Sequence, residues 1–178
     1  NMRFKVGCAE YLDTVCDRVT FYDFVRSRAL GEVPLTIASS EDPWSVFQPL
    51  FDSDVKRFGF GGVGLPRGIT VNSPSELAEV TASFRAVGMD NSEWAYQELL
   101  STDPWNNISI CGWHDDSYSS YFATRPLVRQ RRGCAVVVEP CSPPRDLFGV
   151  TRSILLPLKY DGPFEMEFIQ DPKTRRFK

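Results

Sequence analysis

The residues best suited to acid–base chemistry lie together between Ile110 and Asp116, in the order Ile-Cys-Gly-Trp-His-Asp-Asp. His114 is the single histidine of the sequence, and an imidazole that titrates near neutral pH can act as a general acid or base. Asp115 or Asp116 beside it could orient the ring. A Cys–His hydrolase or transferase would also need a thiolate that His114 activates.

Five cysteines are available as nucleophiles. Cys8 is the best placed, because it precedes a predicted helix whose N-terminus would lower the thiol pKa, and Cys134 is an alternative. Cys111 lies three residues before His114 on a predicted strand, so the two side chains should face opposite sides. Against a dyad, cysteine is usually a buried apolar filler, and a histidine at a strand end commonly satisfies a hydrogen bond. We therefore interpret His114 as structural.

Metal and cofactor signatures are incomplete. Cys111-x-x-His114 has the spacing of half a zinc site, but the downstream thiols Cys134 and Cys141 are too far apart to supply the second pair. The glycine-rich segment Gly59 to Gly64 lacks the Lys and Ser/Thr of a P-loop, and no strong strand is predicted before it. Gln130 to Ala135 matches an acetyltransferase pattern, but β-branched residues and a proline follow where that pattern needs a helix. We predict no metal and no cofactor.

Aromatic and basic side chains flank His114 and form the predicted binding surface, because such side chains anchor interfaces and ligand pockets. Its members are Trp113, Tyr118, Tyr121, Arg129, Arg131 and Arg132. A protein partner is predicted for this surface, and the oligomeric state stays open.

Composition narrows the choice of partner. A formal net charge of −3 argues against bulk attraction to nucleic acid or to an anionic membrane. No apolar run is long enough to span a bilayer as a helix. The odd number of cysteines, without compact spacing, favours reduced thiols. We predict a cytoplasmic protein.

The 178 residues predict one globular domain, 1–178, of which 42% is apolar. Helical spacing predicts helices over Glu10 to Arg28, after the cap Asp42-Pro43, after the capping box Ser73-Pro74-Ser75-Glu76, and over Ser92 to Leu100. Runs rich in β-formers predict strands over Ile108 to Trp113, Cys134 to Glu139, Ser153 to Tyr160 and Phe164 to Ile169. The fold class is therefore α+β, with helices mainly in the N-terminal half packed on a largely antiparallel sheet from the C-terminal half.

Several short features occur in the order found in a known family. They are Asp42-Pro43-Trp44 after an early strand, a later strand over Ile108 to Cys111, the pair Phe122-Ala123, and an apolar strand over Gly133 to Val138. They resemble an uncharacterised bacterial domain family found near phage-defence genes. Ser119 stands where that family has a tryptophan, and the resemblance implies no catalytic role for any residue.

The sequence thus predicts a non-catalytic intracellular binding module of bacterial or phage type, since no catalytic or cofactor signature is complete. One alternative is a Cys–His enzyme that uses His114, with Asp115 or Asp116 to orient it and Cys8 or Cys134 as nucleophile. Another is an ADP-ribosyltransferase-like, NAD-binding toxin or defence protein. The sequence does not decide whether the chain is an enzyme, nor does it identify a substrate, partner or host.

Overall fold

The computed structural model describes residues 11, 14–15, 17–38, 53–57, 68–90, 94–100, 103–129 and 135–178. The fold is α+β with antiparallel sheets, which confirms the predicted class. The described helices are α1 (Arg18–Ser27), α2 (Pro74–Ala86) and α3 (Arg145–Leu155). The described strands are β1 (Thr36–Ala38), β2 (Ser53–Arg57), β3 (Gly68–Val71), β4 (Trp94–Glu98), β5 (Asn107–His114), β6 (Ser119–Arg129), β7 (Ala135–Cys141) and β8 (Gly162–Ile169).

The first sheet has the strand order β1-β4-β2-β3, with every described pairing antiparallel. Its apolar core is formed with α2, where Phe84 packs on Trp94 with ring centroids 5.4 Å apart. The other buried members of this core are Ile37, Val71, Leu77, Met89 and Tyr96. The first half of the chain therefore builds a sheet of its own.

The second sheet has the order β7-β6-β5-β8 and is also antiparallel. One face packs on α3, where Ile110, Ala123, Leu147 and Phe168 are buried together. A neighbouring cluster around Val25 joins α1 to α3. The 3-10 turn Pro104–Asn106 directly precedes β5.

Capping explains where two helices begin. The Ser73 hydroxyl accepts from the Glu76 N–H at 3.2 Å, and Glu76 accepts in return from the Asn72 N–H at 2.7 Å, with Pro74 as the first helical residue. Both bonds satisfy donors at the helix entrance, as the capping-box pattern predicts. At α1, the Asp17 carboxylate accepts from the Thr20 N–H at 2.7 Å.

Two predicted elements are wrong. The segment predicted as a helix over Ser92 to Leu100 contains β4, whose residues 94–97 are all buried, so the polar–apolar alternation typical of a strand is missing. The segment predicted as a strand over Ser153 to Tyr160 begins within α3, where Leu147 and Ile154 are buried at helical spacing. The helix predicted after Asp42 begins outside the described residues, and the next described segment of the chain is the strand β2. None of the described helices is long and apolar enough to cross a bilayer.

Candidate functional site

The second sheet has two chemically different faces. Strand register places Ile110 opposite Ala123 and Met166 on the face that packs against α3, which we call the helix face. Because side chains alternate along a strand, their neighbours lie on the opposite face, which we call the polar face. Its members are Asn107, Ser109, Cys111, Trp113, Ser120, Phe122, Thr124, Glu165 and Glu167.

A polar cluster forms at the start of β5 on this face. Asn107 Nδ2 donates to Glu167 Oε1 at 3.5 Å, and Arg129 Nη2 lies 3.6 Å from the same oxygen. Asn107 is only 6% exposed, and its Oδ1 is buried with no hydrogen-bond partner. A buried acceptor without a donor costs free energy, so this oxygen is suited to a ligand that supplies a donor or a positive charge.

Cys111 lies next to this cluster at the centre of the polar face. Burial raises the pKa of the Cys111 thiol from its ordinary value of 9.0, and the nearby charges of Glu165 and Glu167 add to the rise. A hydrogen bond with the Thr124 side chain opposes it. The thiol is therefore protonated at neutral pH, which argues against a nucleophilic role.

A shallow groove of about 450 Å³ lies towards the other end of the polar face. It is lined by Cys111, Gly112, Trp113, Ser120, Phe122 and Phe164. The lining is mostly apolar and aromatic, in contrast to the charged Asn107–Glu167–Arg129 cluster.

His114 lies on the helix face, away from the polar cluster. It is 5% exposed, and its Nδ1 is 2.7 Å from Ser119 Oγ and 2.9 Å from Tyr121 Oη. Tyr121 also packs edge-on against Phe164, with centroids 5.3 Å apart. Two hydroxyls thus satisfy the same imidazole nitrogen, and the surroundings of His114 are those of a structural hydrogen-bonding group.

Asp115 organises the turn between β5 and β6. Its carboxylate accepts from the Trp113 indole N–H at 2.9 Å, the Ser117 N–H and hydroxyl at 2.8 Å each, and the Tyr118 N–H at 2.7 Å. The carboxylate oxygens predicted to orient His114 are therefore engaged by the turn and by Trp113. These bonds, led by that of Trp113, hold the pKa of Asp115 well below its ordinary value of 3.8.

Asp115 should therefore make stability depend on acid pH. Its pKa is lower in the folded state, so the carboxylate stabilises the fold above about pH 4, and this contribution is lost as the pH falls further. Between about pH 6 and pH 3, the wild-type melting temperature should fall more than that of Asp115→Asn, whose side chain does not titrate. Equal pH dependence in the two proteins, measured by circular dichroism melts, would contradict this role.

Four of the residues predicted to bind a partner are described, and these four do not lie on one surface. Trp113 is 37% exposed on the polar face, whereas Tyr118 is 61% exposed at the turn. Tyr121 lies on the helix face, and Arg129 belongs to the polar cluster. The remaining predicted site residues, Arg131, Arg132 and Cys8, lie outside the described residues.

Sequence reasoning missed Glu167 and Asn107. The signal for Glu167 was present, because the run Phe164 to Ile169 alternates apolar and acidic residues and so places Glu165 and Glu167 on one face of a strand. Asn107 carried no comparable signal. Its importance comes from strand pairing, which brings it to Glu167 across 60 residues of sequence.

The glycine-rich segment Gly59 to Gly64 follows a strand that the sequence did not predict. Its own structure lies outside the described residues, but the strand β2 ends at Arg57 and its antiparallel partner β3 begins at Gly68. The segment therefore joins two paired strands. A strand therefore does precede the segment, where no strong strand was predicted.

Neither a protein-family model nor a curated protein matches the chain. Solved structures do match it. Pyruvate carboxylase from Rhizobium etli is 21% identical with a TM-score of 0.74, over 97% of this chain and 16% of that one. D-alanine–D-alanine ligase from Coxiella burnetii is 12% identical with a TM-score of 0.67, over 97% of this chain and 48% of that one. N5-carboxyaminoimidazole synthetase from Staphylococcus aureus, complexed with ADP, is 18% identical with a TM-score of 0.64, over 91% and 42%.

The chain shares the ATP-grasp fold. It spans less than half the length of each of these ATP-grasp structures. Because the matching proteins are ligases and a carboxylase, the prediction of a non-catalytic binding module is wrong. The same finding overturns the Cys–His and ADP-ribosyltransferase alternatives. The predicted protein partner and the resemblance to a phage-defence family stay predictions.

Proposed function

We propose that this chain is the nucleotide-binding part of an ATP-dependent ligase. The observation that carries the proposal is the ATP-grasp fold, which extends over 91–97% of the chain in three enzymes of different specificity. One of those structures contains ADP. The names of the three enzymes indicate three different second substrates. The shared fold therefore supports nucleotide binding and leaves the acceptor of the ligation open.

The glycine-rich segment supports a phosphate-binding role in this setting. It follows β2, whose last residues Lys56 and Arg57 are basic, and it joins β2 to β3. Glycines allow backbone N–H groups to approach phosphate oxygens closely, and neighbouring cations add to the attraction. This combination occurs once in the sequence.

The Asn107–Glu167–Arg129 cluster supports the same role from the second sheet. Hard divalent cations such as Mg²⁺ prefer carboxylate and amide oxygens, and they usually complete their shell with phosphates and water. The Glu167 carboxylate and the unpartnered Asn107 Oδ1 are oxygen ligands of this kind, so the residues fit a magnesium–nucleotide complex. Arg129 adds a positive charge beside them.

Nucleotide binding is tested directly with MgADP. Titration calorimetry of the 178-residue chain should give saturable binding, and about 100 Kd of MgADP should stabilise the fold by about 2.7 kcal/mol. Glu167→Gln should weaken MgADP binding roughly tenfold or more, because an amide replaces the charged metal ligand.

The matched control is Glu79→Gln, which removes the same charge from an exposed position on α2. It should leave MgADP affinity unchanged. Absence of saturable MgADP binding by the wild-type chain would refute the proposed function. Equal losses in the two variants would show that the effect is one of net charge, and Glu167 would then have no direct role.

A further inference from the structure

The hairpin formed by residues 169–178 contacts both ends of the chain segment that connects the first sheet to the second. The chain passes from β4 to β5 through residues 99–106. The 169–178 hairpin is closed by reciprocal backbone bonds between Ile169 and Lys178, each 3.0 Å. At one end of the connection Lys178 Nζ donates to Glu98 Oε1 at 2.7 Å, and at the other the Gln170 N–H donates to the Asn106 carbonyl at 2.7 Å.

Glu98 connects Lys178 to the first sheet. Its Oε1 also accepts from the Leu35 N–H at 2.8 Å, and its own N–H donates to the Leu35 carbonyl at 2.9 Å. The side chains of Lys178 and Glu98 are 17% and 27% exposed. An ion pair so poorly exposed is screened less by salt than a surface pair, and losing one partner leaves a partly desolvated charge.

A second carboxylate supports Lys178. Asp171 Oδ2 lies 3.6 Å from Lys178 Nζ. Burial acts to raise the pKa of Asp171. This effect is outweighed by hydrogen bonds from the N–H groups of Lys173 and Thr174 and from the Thr174 side chain, and by the charge of Lys178, so the pKa is lowered. Asp171 is therefore ionised at neutral pH and stabilises the ammonium group.

The same hairpin makes a second ion pair with the first half of the chain. Arg176 Nη1 lies 2.6 Å from Glu32 Oε1, but these side chains are 71% and 42% exposed. An exposed pair of this kind contributes little free energy. It therefore provides a matched control within the same hairpin.

We propose that Lys178 and Glu98 are positioning residues that fix the orientation of the two sheets, and that the affinity of the chain for the nucleotide depends on this orientation. The proposal rests on the proposed function. Both residues act through the orientation of the sheets, since their ion pair holds one end of the chain segment that joins the sheets, and the Gln170–Asn106 bond of the same hairpin holds the other end.

The test compares substitutions in the 169–178 hairpin. Lys178→Met should raise the Kd for MgADP about tenfold, the size expected when one coupled partner is lost, and Lys178→Arg should recover most of the affinity. Arg176→Met should change the Kd less than about twofold, because it breaks only the exposed pair. Wild-type affinity in Lys178→Met would overturn the proposal, as would an equal loss in Arg176→Met.

Hydrogen exchange supplies a readout that needs no nucleotide. In Lys178→Met the Gln170 amide should exchange about tenfold faster than in the wild type, whereas the amide of Val71, inside the first sheet, should be unchanged. If Lys178→Met does not fold, Glu98→Gln replaces it, because the amide oxygen still accepts from Leu35 while the charge is lost. If the wild type binds no MgADP, the proposed function fails, and unchanged Gln170 exchange separately overturns the positioning role.

Discussion

Replacing Gly112 by alanine should destabilise the fold by about 3 kcal/mol, near the upper end of the cost of overpacking a well-packed site. Gly112 lies in β5 opposite Tyr121 on β6. A Cβ at this position would lie 2.0 Å from the Ser120 carbonyl oxygen and 3.1 Å from the Tyr121 Cα. These are backbone atoms of the neighbouring strand, so relief requires β5 and β6 to move apart and lose their pairing.

The matched control for this alanine is Gly149→Ala within α3. A Cβ there meets no atom within 4 Å, and alanine is a better helix former than glycine. This variant should gain about 0.5–1 kcal/mol. Urea denaturation of both variants gives the two free energies of unfolding. A neutral Gly112→Ala would mean that β5 and β6 are not as close as the structure places them.

Replacing Phe84 by alanine should cost about 3–5 kcal/mol. Phe84 is fully buried in α2 and packs on Trp94 of β4, which is 1% exposed. Truncation removes the contact between this ring and Trp94 and leaves a cavity beside it. Because Trp94 is held on a strand paired on both sides, the sheet cannot collapse into the cavity.

Val87→Ala is the control for that truncation, because Val87 caps the same helix and is 43% exposed. It should change the free energy of unfolding by less than about 0.5 kcal/mol. Thermal melts and urea titrations distinguish the two variants. A loss below 1 kcal/mol in Phe84→Ala would show that α2 does not pack on the first sheet through this ring.

The sequence predicted those helices and strands whose positions are set by a short pattern of neighbouring residues. The capping box at Ser73 located the start of α2, and runs rich in β-formers located β5 and β8. The fold class followed from the distribution of these elements. β4 was missed because four consecutive buried residues carry no strand periodicity, and only pairing on both edges makes them a strand.

The candidate site was predicted poorly for a related reason. His114, Trp113 and Asp115 are adjacent in sequence, which made them conspicuous. The side chains of Trp113 and Asp115 bond to each other, whereas His114 lies on the helix face and bonds to Ser119 and Tyr121. Glu167 and Asn107 are distant in sequence and meet only through the pairing of β5 and β8. A site that is assembled by strand pairing has no contiguous motif, so its chemistry becomes visible only with the topology.

Among the described residues, the apolar cluster of the first sheet contains none of the residues that form the clusters around the second sheet. Each sheet thus has an interior of its own, so a cavity made in one interior leaves the side chains of the other in contact.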